Sequence, residues 1–164
     1  HVMIRFYLDD AAVGQYAASA RIYSTVNLAA TVLTASFFPA LLQARQRSSL
    51  QYHRRLQGLG DMLFAIALGI GFVYLAIGKP VFLFFFGSEY APAAEVLKIH
   101  IWSSVFVYLG ILYAKWIVAE KRQIVTLFRT AGGAIINIVL NLVLIPRYGI
   151  TGAAVATLIA QCFA

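Results

Sequence analysis

Five long apolar runs, parted by short stretches that gather most of the charge, leave this chain few ways to fold. They fall at about 13–42, 61–78, 93–119, 123–145 and 150–164. A helix needs about 20 residues to cross a hydrocarbon core about 30 Å thick, and the first four runs suffice. The first has about ten residues to spare, which implies tilt or an extension into water. Backbone amides cannot stay unpaired in lipid, and no strand-like alternation suggests a barrel, so each run reads as a helix. The expected fold is all-α, a single polytopic transmembrane helix bundle over residues 1–164. With 62% hydrophobic and 12% charged residues, the chain is far more apolar than a soluble domain.

The punctuation fits this division. Pro80, Gly87 and Pro92 are expected to break the chain between the second and third runs, and Pro146 with Gly149 between the fourth and fifth. Asp61 is placed to cap the second helix. The aromatic stretch 81–87 is too short to span and is expected to lie at the membrane surface. The lone Cys162 reads as a small core residue. The absence of an initiator Met and the shortness of the last run predict a piece of a longer chain.

Loop charge sets the orientation. Arg45, Arg47, Arg54 and Arg55 fall in the stretch 43–60, and Lys121 and Arg122 in the stretch 120–123. The alternate loops carry Asp9, Asp10 and Glu89 against Lys79 and Arg147. The positive-inside rule puts the two basic loops in the cytoplasm. The net charge of +7 therefore points to anionic membrane lipids as partners and not to nucleic acid.

A charge at the bilayer centre costs about 2.5–3.5 kcal/mol, so each one within a run needs a reason. Arg21, Lys115 and Arg129 qualify, and no acidic residue lies deep enough to neutralise them. On a helical wheel Ser104, Tyr108 and Lys115 share a stripe. Thr126, Thr130, Gly133, Asn137 and Asn141 form another, with Arg129 at its edge. Tyr16, Tyr23, Asn27, Thr31 and Thr34 share a face of the first helix, which Arg21 fits poorly. One reading is a watery cavity whose cations hold an anion, guanidinium and ammonium both suiting phosphate oxygens. The other is snorkelling, since Lys115 and Arg129 lie close to a cytoplasmic loop. Asn137 and Asn141 could line the cavity or hydrogen-bond between helices. Gly152, Ala156 and Ala160 form a small-residue face suited to close packing.

No catalytic or metal-binding group is expected. His1, His53 and His100 are scattered without a ligand partner at helical spacing, and no Gly-rich phosphate loop is present. Asp9 and Asp10 read as capping and solvation.

The stretch 128–161, FRTAGGAIINIVLNLVLIPRYGITGAAVATLIAQ, resembles the signature of the polysaccharide flippases of the multidrug/oligosaccharidyl-lipid/polysaccharide exporter superfamily. AAVGQYAASARI at 11–22, FFPALL at 37–42, YHRRLQGLGDML at 52–63 and VLKIHIWSSVFVYLGILYAKWIVAE at 96–120 fit the same family. The resemblance implies that the segments form most of the C-terminal lobe of a two-lobe transporter. It implies a multi-pass protein of the bacterial inner membrane that flips an undecaprenyl-pyrophosphate-linked repeat unit by alternating access. Such units build O-antigen, lipopolysaccharide or other surface polysaccharide. It also implies a polysaccharide polymerase or assembly partner, no cofactor, and proton or sodium coupling. Lys115 and Arg129 match the family's KW and RT motifs, and its acidic residue before His1 is not in this sequence; Arg5 finds no role. The alternatives are a cation-coupled multidrug-type exporter, a peptidoglycan-precursor flippase and a non-transporting scaffold. A membrane transferase is disfavoured for want of a nucleophile or acid–base cluster.

The orientation is testable in a Cys162→Ala background of the full-length protein. A cysteine at Gln51 should resist a membrane-impermeant thiol reagent applied to intact cells, whereas one at Glu89 should react.

Overall fold

The computed structural model describes residues 2–164, with side chains from Ile4 onward, and no strand occurs among them. The helices are α1 Val2–Tyr7, α2 Asp10–Arg47, α3 Ser49–Val73, α4 Lys79–Phe86, α5 Ala91–Ala119 and α6 Gln123–Phe163. A π-helical turn, Tyr74–Gly78, joins α3 to α4, and a 3₁₀ turn, Ser88–Tyr90, leads into α5. Four elements are long and apolar enough to cross a membrane: Asp10–Arg47, Ser49–Phe86, Ser88–Ala119 and Gln123–Phe163. The chain is thus an all-α, multi-pass membrane protein.

Several boundaries differ from the sequence reading, each for a local reason. The basic stretch 43–60 is helical except at Ser48, whose extended backbone (φ −161°) separates α2 from α3. Its Gln, Arg, Leu and Ala residues favour helix, so the chain leaves the apolar region without uncoiling. Asp61 consequently lies well inside α3 and caps nothing. Pro80 does not end the second helix. It has no N–H for the carbonyl one turn earlier, and the helix widens into the π turn just ahead of it. The Tyr74 ring takes up the space beside Gly78, where a Cβ would collide with it. The aromatic stretch is therefore the end of a continuous rod, with Phe84 and Phe85 exposed and Phe82 buried. The rod ends at Gly87, whose φ of +87° suits glycine. Pro92 sits in the first turn of α5, where its missing donor costs nothing.

The expected break between the fourth and fifth runs is a reversal within α6. Gly149, at φ 59° and ψ −140°, divides an arm at 123–148 from a returning arm at 150–163. The arms touch along small residues: a Cβ at Gly152 would meet the Leu144 carbonyl, and one at Gly133 would meet Ala164. Ala156 and Ala160 are buried on the returning arm, whereas Cys162 is exposed, not in the core as expected.

α5 is the central element, packed against α2, α3 and α6. One apolar cluster joins Leu41, Leu63, Ala67, Tyr108 and Leu112 across α2, α3 and α5. A second joins Ile4, Val96, Ile145, Ile150 and Ala154, and a third sets Phe82 against Ala94, Leu97 and Ile101. The outward faces are apolar too, with Leu28, Val32, Phe72, Leu127, Phe128 and Ile135 all exposed, as a bundle surrounded by lipid requires. Ion pairs tie both ends of α5: Arg45 to Glu120 at 2.9 Å and Lys79 to Glu95 at 2.6 Å. Asp9 caps α2 by accepting from the Ala12 N–H at 2.9 Å, and Asp10 pairs with Arg5, which gives Arg5 a structural partner.

Replacing Gly152 by Leu forces the Leu144 backbone aside and should destabilise the bundle by about 1–3 kcal/mol. Gly132→Ala, on the open side of the first arm, should be close to neutral. Thermal unfolding in detergent micelles compares the two.

Candidate functional site

Between α5 and the two arms of α6 lies a cleft of about 610 Å³. Gly110, Gly133, Ala134 and Ala160 make room for it, and its polar wall is formed by Thr126, Arg129, Thr130, Asn137, Thr157 and Gln161. Three of these six, Thr126, Thr130 and Asn137, belong to the stripe read on the fourth segment and Arg129 lies at its edge, because residues three, four and seven apart share a helix face.

Arg129 is half-buried and nearly unpartnered. One guanidinium nitrogen donates to the Gly110 carbonyl at 3.3 Å, and the group lies 4.9 Å from the centre of the Tyr113 ring. Its Nε and the Thr126 hydroxyl are buried without a hydrogen-bond partner. A guanidinium has five N–H donors, so most of its capacity is unused. Among the described residues no carboxylate pairs with it, the ion pairs being Arg5–Asp10, Arg45–Glu120 and Lys79–Glu95. An uncompensated cation beside orphaned donors, in apolar surroundings, favours an anion with several oxygens.

The other candidate residues are placed differently. Asn137 lines the cleft, and its Oδ1 accepts from Asn141 Nδ2 at 2.8 Å, while Asn141 itself is buried behind it. Lys115 lies outside the cleft lining, with its ammonium 5.4 Å from the centre of the Phe38 ring on α2. The structure therefore does not bring Lys115 and Arg129 to one site. Arg21 is exposed on α2, and its backbone carbonyl accepts from Ser24 and Thr25. Asn27 lies away from the cleft with its Oδ1 buried and unpartnered. Tyr108 is fully buried and donates to the Val26 carbonyl at 2.7 Å, a bond that pins α5 to α2.

Gln161 and Thr157 were not singled out from the sequence. The polar spacing of four between them was visible, but small residues on either side suggested packing alone. Gln161 Oε1 accepts from the Tyr23 hydroxyl at 2.8 Å, and Ser103 Oγ lies 3.1 Å from that hydroxyl. His100 is buried between Tyr16 and Tyr23, stacked on the latter with ring centres 4.7 Å apart. A hydroxyl–amide seam thus runs from the α2–α5 interface to the cleft wall.

Two curated proteins of Haloferax volcanii match nearly the whole chain. One, named "Probable low-salt glycan biosynthesis flippase Agl15", is 26% identical over 161 residues, covering 94% of this chain and 33% of that protein. The other, named "Probable flippase AglR", is 26% identical over 164 residues, covering 98% of this chain and 34% of that protein. The chain therefore spans about a third of the length of these relatives. No protein-family model and no solved structure matches it.

The two placements of a polar side chain, Tyr108 in the core and Arg129 in the cleft, separate stability from binding. Tyr108→Phe should cost about 0.5–1.5 kcal/mol of stability by thermal unfolding and leave affinity for anionic ligands unchanged.

Proposed function

We propose that this chain forms part of a flippase that carries a lipid-linked glycan across a membrane, with Arg129 holding the phosphate that joins lipid to sugar. The observation that carries this reading is the guanidinium itself, unpaired in a cleft within an otherwise apolar bundle. A phosphate or pyrophosphate supplies the several acceptor oxygens such a group lacks. The two similar proteins are named flippases, one of them for glycan biosynthesis, and this supports the reading.

Finer parts of the proposal rest on the motif resemblance. They are an undecaprenyl-pyrophosphate carrier, alternating access of two lobes, membership of the polysaccharide flippases, a bacterial inner membrane and partnership with a polysaccharide polymerase. The similar proteins come from a haloarchaeon, so they favour the flippase and leave the host open. We also propose transport in place of catalysis. The cleft wall offers a guanidinium, carboxamides and hydroxyls, with no carboxylate, imidazole or thiol side chain among its lining residues to serve as general acid or base. A multidrug-type exporter of cationic compounds fits less well, because the one charge in the wall is positive.

The test is complementation of a strain lacking its own repeat-unit flippase by the full-length protein, read as polysaccharide at the surface. Arg129→Ala should lower flipping roughly ten- to a hundredfold at an unchanged protein level. That is the effect of losing charge-assisted hydrogen bonds of about 1.5–3 kcal/mol. Undiminished flipping by this variant would remove Arg129 from the site.

A further inference from the structure

Beyond Arg129, the cleft wall carries two carboxamides, Asn137 and Gln161. Asn137 Oδ1 accepts from Asn141 Nδ2 at 2.8 Å, and the Gln161 amide lies 2.8 Å from the Tyr23 hydroxyl. The first contact fixes which way its amide faces. Turning the asparagine pair round would bury an Asn141 N–H group without a partner. The observed arrangement instead leaves a buried Asn141 oxygen unsatisfied, the less costly and more frequent of the two defects. Gln161 is not fixed in this way: Ser103 Oγ spends its one proton on the His100 carbonyl at 2.7 Å, so the Tyr23 hydroxyl can donate to Ser103 as well as to Gln161. The Asn137 NH₂ group is left without a protein partner on a residue that lines the cleft.

The wall is therefore biased towards donors. Besides the guanidinium it presents the Asn137 NH₂ group, and the Thr157 hydroxyl already spends its proton on the Ala153 carbonyl at 2.9 Å. Asn137 lies eight residues beyond Arg129 on the same arm, about 12 Å along the helix axis. A ligand whose phosphate meets Arg129 would thus bring its sugar, and not the same phosphate, to this amide. The group that the NH₂ can read must be an acceptor. Of the two strong candidates, a carboxylate would call for a second cation, and the wall holds one. A neutral amide carbonyl calls for none.

We propose that Asn137 is a specificity-determining residue that reads the carbonyl oxygen of an N-acylated sugar carried beyond the phosphate. The inference rests on the flippase reading and deepens it by naming a feature of the substrate. Asn137→Asp suits its test, because it keeps the oxygen that the protein already uses and changes only the group facing the cleft.

The experiment uses the full-length protein carrying this chain, reconstituted in nanodiscs. Two lipid-linked pyrophosphoryl sugars serve as probes, differing in one substituent: an acetamido group or a hydroxyl at the same ring carbon. The native protein should bind the acetamido probe at least about tenfold more tightly. Asn137→Asp should abolish that preference, with a melting temperature near the native value. The added negative charge weakens both probes alike, so the ratio between them reports the lost donor. Arg129→Ala should weaken both probes and keep the ratio. Equal affinity of the native protein for the two probes, or a preference that survives Asn137→Asp, would overturn the assignment while Arg129→Ala still upheld the flippase reading. Binding of neither probe by the native protein would overturn both.

Discussion

Lipid offers no hydrogen-bond partner, and that one deficiency shapes nearly everything in this chain. Backbone polar groups must be satisfied internally, so the segments are helices, and the helices continue past the apolar run wherever the sequence tolerates it. Side-chain hydroxyls turn back on their own helix: Thr34 donates to the Ala30 carbonyl and Thr157 to that of Ala153. The few polar groups that do not turn back reach across helices instead, as Tyr108 does to Val26 and Tyr23 to Gln161. Against that background a group left without a partner is informative, because the usual ways of satisfying it were available in the chain and were not used.

Arg129 is such a group. Were it a snorkelling cation, its guanidinium would be expected to reach the charged end of the bundle marked by Glu120, yet Glu120 is held by Arg45. Arg129 faces the Gly110 carbonyl and the Tyr113 ring, on the wall it shares with Asn137 and Gln161. The same test separates it from Lys115, whose ammonium lies over the Phe38 ring and outside that wall.

The all-α class and the reversal at Gly149 were legible because they follow from apolarity and from backbone chemistry that few residues permit. The stripe through Thr126, Thr130, Gly133 and Asn137 was legible because periodicity alone assigns residues to a face. Helix ends were not. Apolarity marks where lipid stops, whereas the helix stops where the backbone is broken, which is at Ser48 and Gly87 and not at Leu42 or Pro80. The joint site of Lys115 and Arg129 was out of reach for another reason. Each sits on a face its own sequence defines, but the rotation of α5 against α6 is set by packing between them, which no single-helix pattern contains. Gln161 and His100 were hidden likewise, since their significance lies in Tyr23, a residue on a different helix.

Gly149 closes one end of the cleft's two-armed wall, and the contact of Gly133 with Ala164 holds the arms together where the shorter one ends. Arg129 stands 20 residues from Gly149, a lever of about 30 Å along the first arm. Each degree of tilt of that arm about Gly149 therefore carries the guanidinium through about half an ångström. A tilt of about two or three degrees is enough, at that distance, to make or break a hydrogen bond.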